Sequence, residues 1–317
     1  MRSVSTAAIQ VGISACLLGQ KVRFDGGHKR ADFCQQELSR YFEFLPICPE
    51  VAIGLGVPRP TIRLVQRADG VHVEASDGSF DVTAPLLAYS EQMSSQLGQL
   101  SGYLFCAKSP SCGMERVRLY GDAGGAKEGV GLYARTLMQR LPLLPVEEDG
   151  RLNDPQLREN FVMRVYAYHD WQQLLASGIS RGKLIAFHSR YKYLLLAHHP
   201  AAYKELGRYL AVMADLPLEH VVARYAIGLM AALKLRASRK NHTNVLQHLQ
   251  GYFKRELSAA QKAEFHDTID KYRRGILPLL SPMTLLRHYL REYPNAYLQQ
   301  QVYLNPYPEE LALRYGL

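Results

Sequence analysis

The chain has 317 residues, 47% of them hydrophobic and 21% charged, with a formal net charge of +9. That balance suits a globular protein long enough for two domains. No run of about 18 apolar residues occurs, so no transmembrane helix is expected. The five cysteines are an odd and sparse set in a chain that opens without a signal-peptide pattern. This argues against a disulfide framework and for a cytoplasmic protein, in which cysteines pack, ligate metal or do chemistry.

The charge is unevenly placed. Residues 1–150 carry 15 Lys+Arg against 16 Asp+Glu, a net of −1. Residues 151–317 carry 23 against 13, a net of +10, and 9 of the 11 histidines. A near-neutral half joined to a strongly basic one points to a catalytic domain over 1–150 and a polyanion-binding domain over 151–317.

In chain order, Ile9–Leu18 is a mostly apolar run ending at Gly19, which predicts a buried first strand. Lys21–His28 reads as a loop through Asp25-Gly26-Gly27, and residues 31–43 show helical spacing. Phe44–Glu50 predicts a second strand broken at Pro49, followed by a Gly/Pro-rich loop over 54–60. Residues 61–83 alternate with period two around two Asp-Gly turns, which predicts a small antiparallel hairpin inserted at the sheet's edge. A helix over 84–98, strands over 102–107 and 116–120, and a helix over 129–140 complete an α/β pattern with a mostly parallel sheet. Gly124-Gly125 reads as a turn, and Leu141–Gly150 as a last short strand and linker.

Cys16 and Cys48 close the first two predicted strands, and Cys112 lies just past the strand at 102–107. In a parallel sheet all three face one crevice. Three thiolates in one place suit an iron–sulfur cluster or zinc better than a covalent nucleophile, which needs only one. Cys34 on the predicted helix and Cys106 inside an apolar strand read as packed cysteines.

Five ordered motifs, Ser14–Gly19, Arg23–Gly26, Cys48-Pro49-Glu50, Pro58-Arg59 and Lys108–Gly113, resemble those of the TudS thiouracil-desulfidase family over about residues 10–145. The resemblance implies a [4Fe-4S] cluster held by Cys16, Cys48 and Cys112, with the fourth iron open. It also implies functional roles for Glu50 and Ser109. An open iron is a thiophilic Lewis acid, and replacing sulfur by water requires an acid/base, which Glu50 is placed to supply. Ser109 would orient that base or stabilise charge at the reacting carbon. Arg23, Asp25, Arg59 and Lys108 are candidates for positioning substrate or phosphate, although Asp25 also reads as a turn residue. Ser111 joins the substrate-binding set, with a bond to a cluster sulfide or to the loop backbone as its two alternatives.

The second half reads as an all-α bundle. Helices are predicted at about 155–176, 180–198, 200–214, 217–236, 239–257, 259–275 and 282–293. Pro155 follows Asp154 as a helix start, Ser258-Ala-Ala-Gln261 is a capping box, and Ser281-Pro282 is a second proline start. Arg236, Arg239, Lys240, Asn244, Gln247 and Lys254 lie largely off the apolar stripe of Leu246, Leu249, Phe253 and Leu257. Arg190 and Lys192 form a second basic cluster among aromatic residues. Cations that reach phosphate beside amides that reach ribose and base edges suit RNA. A solvated helix face is the plain alternative.

This half resembles the YbgA-type (DUF1722) domain through Phe187–Arg190, Lys240–Gly251 and Thr284–His288. The two-domain order resembles the RudS-type tRNA 4-thiouridine desulfidases. That resemblance implies desulfuration of 4-thiouridine in tRNA to uridine, with sulfide released and no net electron transfer. Two alternatives are a desulfidase of free thiouracil or thiouridine nucleotides, and a non-catalytic iron–sulfur RNA-binding sensor.

Overall fold

The computed structural model describes residues 8–121 and 124–315. They form two compact units that part between Asp154 and Pro155.

The first unit is α/β. Strand β1 (Ile9–Ser14) is buried on both faces, as a near-continuous apolar run requires in a parallel sheet. It pairs in parallel with β2 (Phe42–Ile47) on one side and β5 (Gly102–Phe105) on the other. Strand β8 (Val146–Glu148) extends β5, giving the order β2-β1-β5-β8. Gly12 of β1 faces the ring of Tyr103 so closely that an added Cβ would lie 2.3 Å from it. The missing side chain is what seats this fully buried ring.

A short helix α1 (Pro49–Ala52) follows β2, and α2 (Thr83–Gln96) and α3 (Leu132–Arg140) flank the strands. The hairpin of β3 (Ile62–Arg67) and β4 (Gly70–Ala75) forms as the Asp-Gly turn predicts. It does not join the edge of the parallel sheet. β3 pairs in parallel with β6 (Val117–Gly121), and β6 pairs antiparallel with β7 (Gly124–Gly129), making a second sheet β4-β3-β6-β7. Ile62, Leu64, Val73, Val117, Leu86 of α2 and Leu132 of α3 pack as one core on this sheet. That apolar inner face is why it needs a layer of its own.

Other expectations shift locally. Residues 31–43 hold one wide turn (Phe33–Glu37) and one tight turn (Leu38–Arg40) instead of a regular helix. Gly124 and Gly125 open β7 rather than forming a turn. Of the third predicted strand, residues 80–82 contribute only a bridge between Glu74 and Asp81, and Thr83 already opens α2.

The second unit is helical: α4 (Pro155–Ala176), α5 (Arg181–His198), α6 (Pro200–Ala211), α7 (Leu218–Lys234), α8 (Arg239–Gln250), α9 (Ala259–Arg273), α10 (Leu280–Glu292) and α11 (Ala296–Gln299). Trp171, Phe187, Tyr191 and Tyr225 form an aromatic centre with neighbouring ring centroids 4.3–5.6 Å apart. Ser180, His199, Ser238 and Asn295 each accept from a first-turn N–H, and Ser258 with Gln261 forms the capping box. α8 ends at Gln250, seven residues before the expected limit. Arg236 precedes it, in no helix, and Lys254 lies beyond it. α10 begins two residues before Pro282, which is tolerated because first-turn N–H groups have no intrahelical partner.

Candidate active site

β2, β1 and β5 run parallel, so their C-terminal ends open on one edge. The chain passes to opposite sides of β1, which makes that edge a topological switch point, where open α/β sheets place their sites. Cys16 lies there in the tight turn Ala15–Leu18 after β1. Gly19 closes this turn at φ 85°, its N–H reaching the Ala15 and Cys16 carbonyls. Cys48 stands between β2 and the first residue of α1, and Cys112 lies in the loop after β5. Cys16 and Cys112 are buried and Cys48 is partly exposed.

The three sulfurs feel one another. The Cys16 thiol is pushed up by its hydrogen bond with Cys106, by burial, and by the charges of Cys106, Cys112 and Cys48. Burial pushes Cys112 well up; a hydrogen bond with Ser14 opposes this, and Glu50, Cys106 and Cys48 add to it. Burial likewise raises Cys48. These shifts keep the three groups as neutral thiols at neutral pH, and holding all three as thiolates would take a cationic partner. Among the described residues, one set of three or more possible metal ligands closes to within 4.8 Å of one another: His72, Glu74 and Asp81 on the second sheet. The three cysteines are therefore more widely spread than ligands around a single zinc, whose Zn–S bonds are about 2.3 Å. A soft, all-sulfur donor set is the kind that iron–sulfur clusters take.

Glu50 follows Cys48 by two residues, and both its oxygens have partners. Arg59 donates to Oε2 through Nη2 at 2.5 Å and Nε at 3.1 Å. The Ser111 hydroxyl donates to Oε1 at 2.9 Å. Arg59 also donates to the carbonyls of Gly56 and Val22, and its side chain is only 5% exposed. The guanidinium thus faces the Glu50 carboxylate and two main-chain carbonyls. Ser111 is fully buried, and its hydroxyl faces Glu50. Ser109 turns the other way: its Oγ accepts from the N–H groups of Ser111 and Cys112, at 3.2 and 3.1 Å. It shapes the loop that presents Cys112.

Asp25 is a turn residue, its Oδ1 accepting from Gly27 N at 2.9 Å. Arg23 lies 3.9 Å from Asp25 and over the Phe24 ring. Lys108 is exposed and left-handed at φ 66°, an uncommon conformation for a residue with a Cβ.

Lys29, Asp149 and Tyr89, which sequence reasoning did not single out, belong to this neighbourhood together with Cys106 and Ser14. Cys106 shares the hydrogen bond with Cys16, and Ser14 accepts from Cys106 N at 3.0 Å. Lys29 pairs with Asp149 at 2.9 Å and acts electrostatically on Cys106 and Cys16. Tyr89 on α2 lines a cleft of about 390 Å³ beside Cys48, with Gln20, Val22, Leu45, Val51 and Met93. An i, i+4 pair such as Tyr89 and Met93 is the one signal the sequence offered, and it reads equally well as core.

In the helical unit, Lys240, Gln247 and Lys254 are exposed and Asn244 partly so. Arg190 pairs with Asp170 at 3.3 Å, and Lys192 lies over the Tyr193 ring. Arg239 donates to the Tyr272 carbonyl at 2.7 Å and lies over that ring. Arg236 is exposed and reaches Gln156 at 3.4 Å.

Residues 192–308 match the model of a protein family of unknown function, DUF1722. YbgA of Escherichia coli (strain K12) is 34% identical over 166 residues, covering 52% of this chain and 98% of YbgA. The chain belongs to the YbgA family. Ahead of that YbgA-like part, residues 11–149 match the 2-thiouracil desulfurase model, so a thiouracil desulfurase-like domain is fused to a DUF1722 domain. Among solved structures, a [4Fe-4S]-dependent thiouracil desulfidase, TudS, aligns with 46% of this chain and 93% of its own, at 29% identity and a TM-score of 0.36. Among the described residues no helix is long and apolar enough to cross a membrane.

Proposed function

We propose that this protein is a cytoplasmic desulfidase that replaces the sulfur of a thionucleobase by oxygen, and that its substrate is 4-thiouridine in tRNA. The observation that carries the reading is three cysteines just past the C-terminal ends of adjacent parallel strands, two directly after β1 and β2 and the third in the loop after β5, with a carboxylate two residues beyond the second. The family match over residues 11–149 supports it. Cys16, Cys48 and Cys112 would hold a [4Fe-4S] cluster, which when bound supplies a thiophilic iron left open by the three-cysteine set.

The protein's own groups carry the protons. A thiocarbonyl and one water become a carbonyl and hydrogen sulfide, so no electron donor is required. Glu50 takes a proton from the attacking water and returns one to the departing sulfur or the ring nitrogen. Lys108, exposed at the loop's start, and Arg23 serve the sugar–phosphate that accompanies the base. The cleft lining named above carries no charge, which suits a neutral heterocycle beside Cys48.

The tRNA assignment rests on the net +10 over 151–317 and on the face formed by Lys240, Asn244 and Gln247 with Lys254 beyond it. Arg236 and Lys192 add further positive charge, while Arg190 and Arg239 contribute charge from within ion-pair and ring contacts. The test is to purify the protein anaerobically, measure iron and sulfide, and follow thionucleoside content in treated tRNA. Loss of 4-thiouridine with release of sulfide is expected. Cys48→Ala should lose iron, and Glu50→Gln should keep iron and lose turnover. Intact RNA binding with unchanged 4-thiouridine would instead indicate a sensor. Turnover confined to free thiouracil would leave tRNA out.

A further inference from the structure

We propose that Ser111 and Arg59 are positioning residues for Glu50, dividing its carboxylate into a fixed oxygen and a working one. The inference rests on the desulfuration reading above and adds which oxygen handles the proton. A carboxylate oxygen accepts through two lone-pair sites. Oε2 receives two donations from the Arg59 guanidinium and is filled. Oε1 receives one, from Ser111, and keeps one site for a proton. The proton of the attacking water therefore goes to Oε1, and the Ser111 bond sets the direction in which that free site points.

Both partners are held firmly enough to do this. Arg59 cannot swing away without also losing its bonds to the Gly56 and Val22 carbonyls. Ser111 is fully buried, so solvent does not compete for its hydroxyl. Its main chain is pinned by the start of α3: Gly131 N donates to Gly113 O, Leu132 N to Pro110 O and Ala134 N to Ser111 O, at 2.8–3.1 Å. A Cβ on Gly131 would lie 2.5 Å from the Ser111 carbonyl oxygen, so this close approach depends on glycine. Ser109 cannot substitute, because its Oγ is turned to the Ser111 and Cys112 N–H groups. Aiming a catalytic carboxylate through groups that never touch substrate is a general device for pre-organised sites.

The test compares Ser111→Ala and Ser111→Thr in the full, iron-loaded chain, with kcat, KM and iron per chain measured together. Ser111→Ala is expected to lower kcat by about 10–100-fold while KM and iron content stay at the wild-type values. Ser111→Thr, which keeps the hydroxyl, should recover most of that loss. Wild-type kcat in Ser111→Ala overturns the proposal. So does a parallel loss of iron in both variants, which would make Ser111 a support of the metal site. Absence of turnover in the wild-type protein removes the desulfuration reading itself, and the positioning role with it.

Discussion

Replacing Arg59 by Met keeps much of the side chain's length and removes its charge, leaving the Glu50 carboxylate in place without its ion partner. The Glu50 and Arg59 side chains are only 15% and 5% exposed, so neither is free to exchange the other for water. Breaking one partner of a buried pair costs about 3–5 kcal/mol, because the remaining charge is left uncompensated. For a unit of about 150 residues, each kcal/mol shifts the melting temperature by about 2–4 °C. Arg59→Met should therefore lower the transition of the α/β unit by about 6–20 °C in scanning calorimetry. Trp171, the chain's one tryptophan, lies in the helical unit, and its fluorescence serves as the reference for that unit. Adding Glu50→Gln removes the uncompensated charge and should recover much of the loss, giving a coupling of at least about 1 kcal/mol in the double-mutant cycle. A shift under about 2 °C for Arg59→Met, or strict additivity in the cycle, would refute the claim that this pair is a buried structural unit.

Three further outcomes follow from other parts of the molecule. Gly131→Ala forces a Cβ against the Ser111 carbonyl and should displace the loop bearing Cys112, reducing iron per chain when the protein is reconstituted anaerobically. Charge reversal at the exposed Lys240 and Lys254 should weaken tRNA binding and flatten its salt dependence by roughly 0.7–0.9 per lost phosphate contact, with turnover of free 4-thiouridine retained. Burial pulls His198 down to about 4 and His242 to about 3. Their folded pKa values lie below the unfolded one of about 6.5, so the unfolded chain takes up protons first as pH falls. Stability should be level above pH 7 and fall by about 1.4 kcal/mol per pH unit for each histidine as pH drops from about 6 to about 4. Urea midpoints that do not change across that window would show that the two rings are not held neutral in the fold.

The fold class was legible because its signals are local. Apolar runs of strand length, the Asp69-Gly70 turn, the proline start at Pro155 and the Ser258 capping box each act within a few residues, and the structure forms the elements they mark. What was not legible is pairing. The edge to which the hairpin of β3 and β4 attaches is decided by β6, some fifty residues further on, so turn chemistry could not fix it. The end of α8 escaped for a related reason: Leu246, Leu249, Phe253 and Leu257 remain a buried stripe although the backbone leaves the helix at Gln250. Continuous burial over non-helical turns has the same pattern as a longer helix.

The site divides along the same line. Cys16, Cys48 and Cys112 are dozens of residues apart, with no ligand spacing of the kind that short metal motifs show. What relates them is that β2, β1 and β5 are adjacent and parallel, so that Cys16 and Cys48 follow two neighbouring strand ends and Cys112 lies in the loop beyond the third. The side-chain directions inside Lys108–Gly113 lie beyond that reasoning. Ser109 and Ser111 are two residues apart in one loop, and composition gives no ground for distinguishing them. The distinction comes from α3, whose first turn fixes the loop's carbonyls and so commits Ser111 inward to Glu50 and Ser109 to the loop's own N–H groups. The groups proposed to carry the chemistry thus follow strand ends, while the direction of Ser111 is set by α3, which lies outside the proposed ligand and acid set.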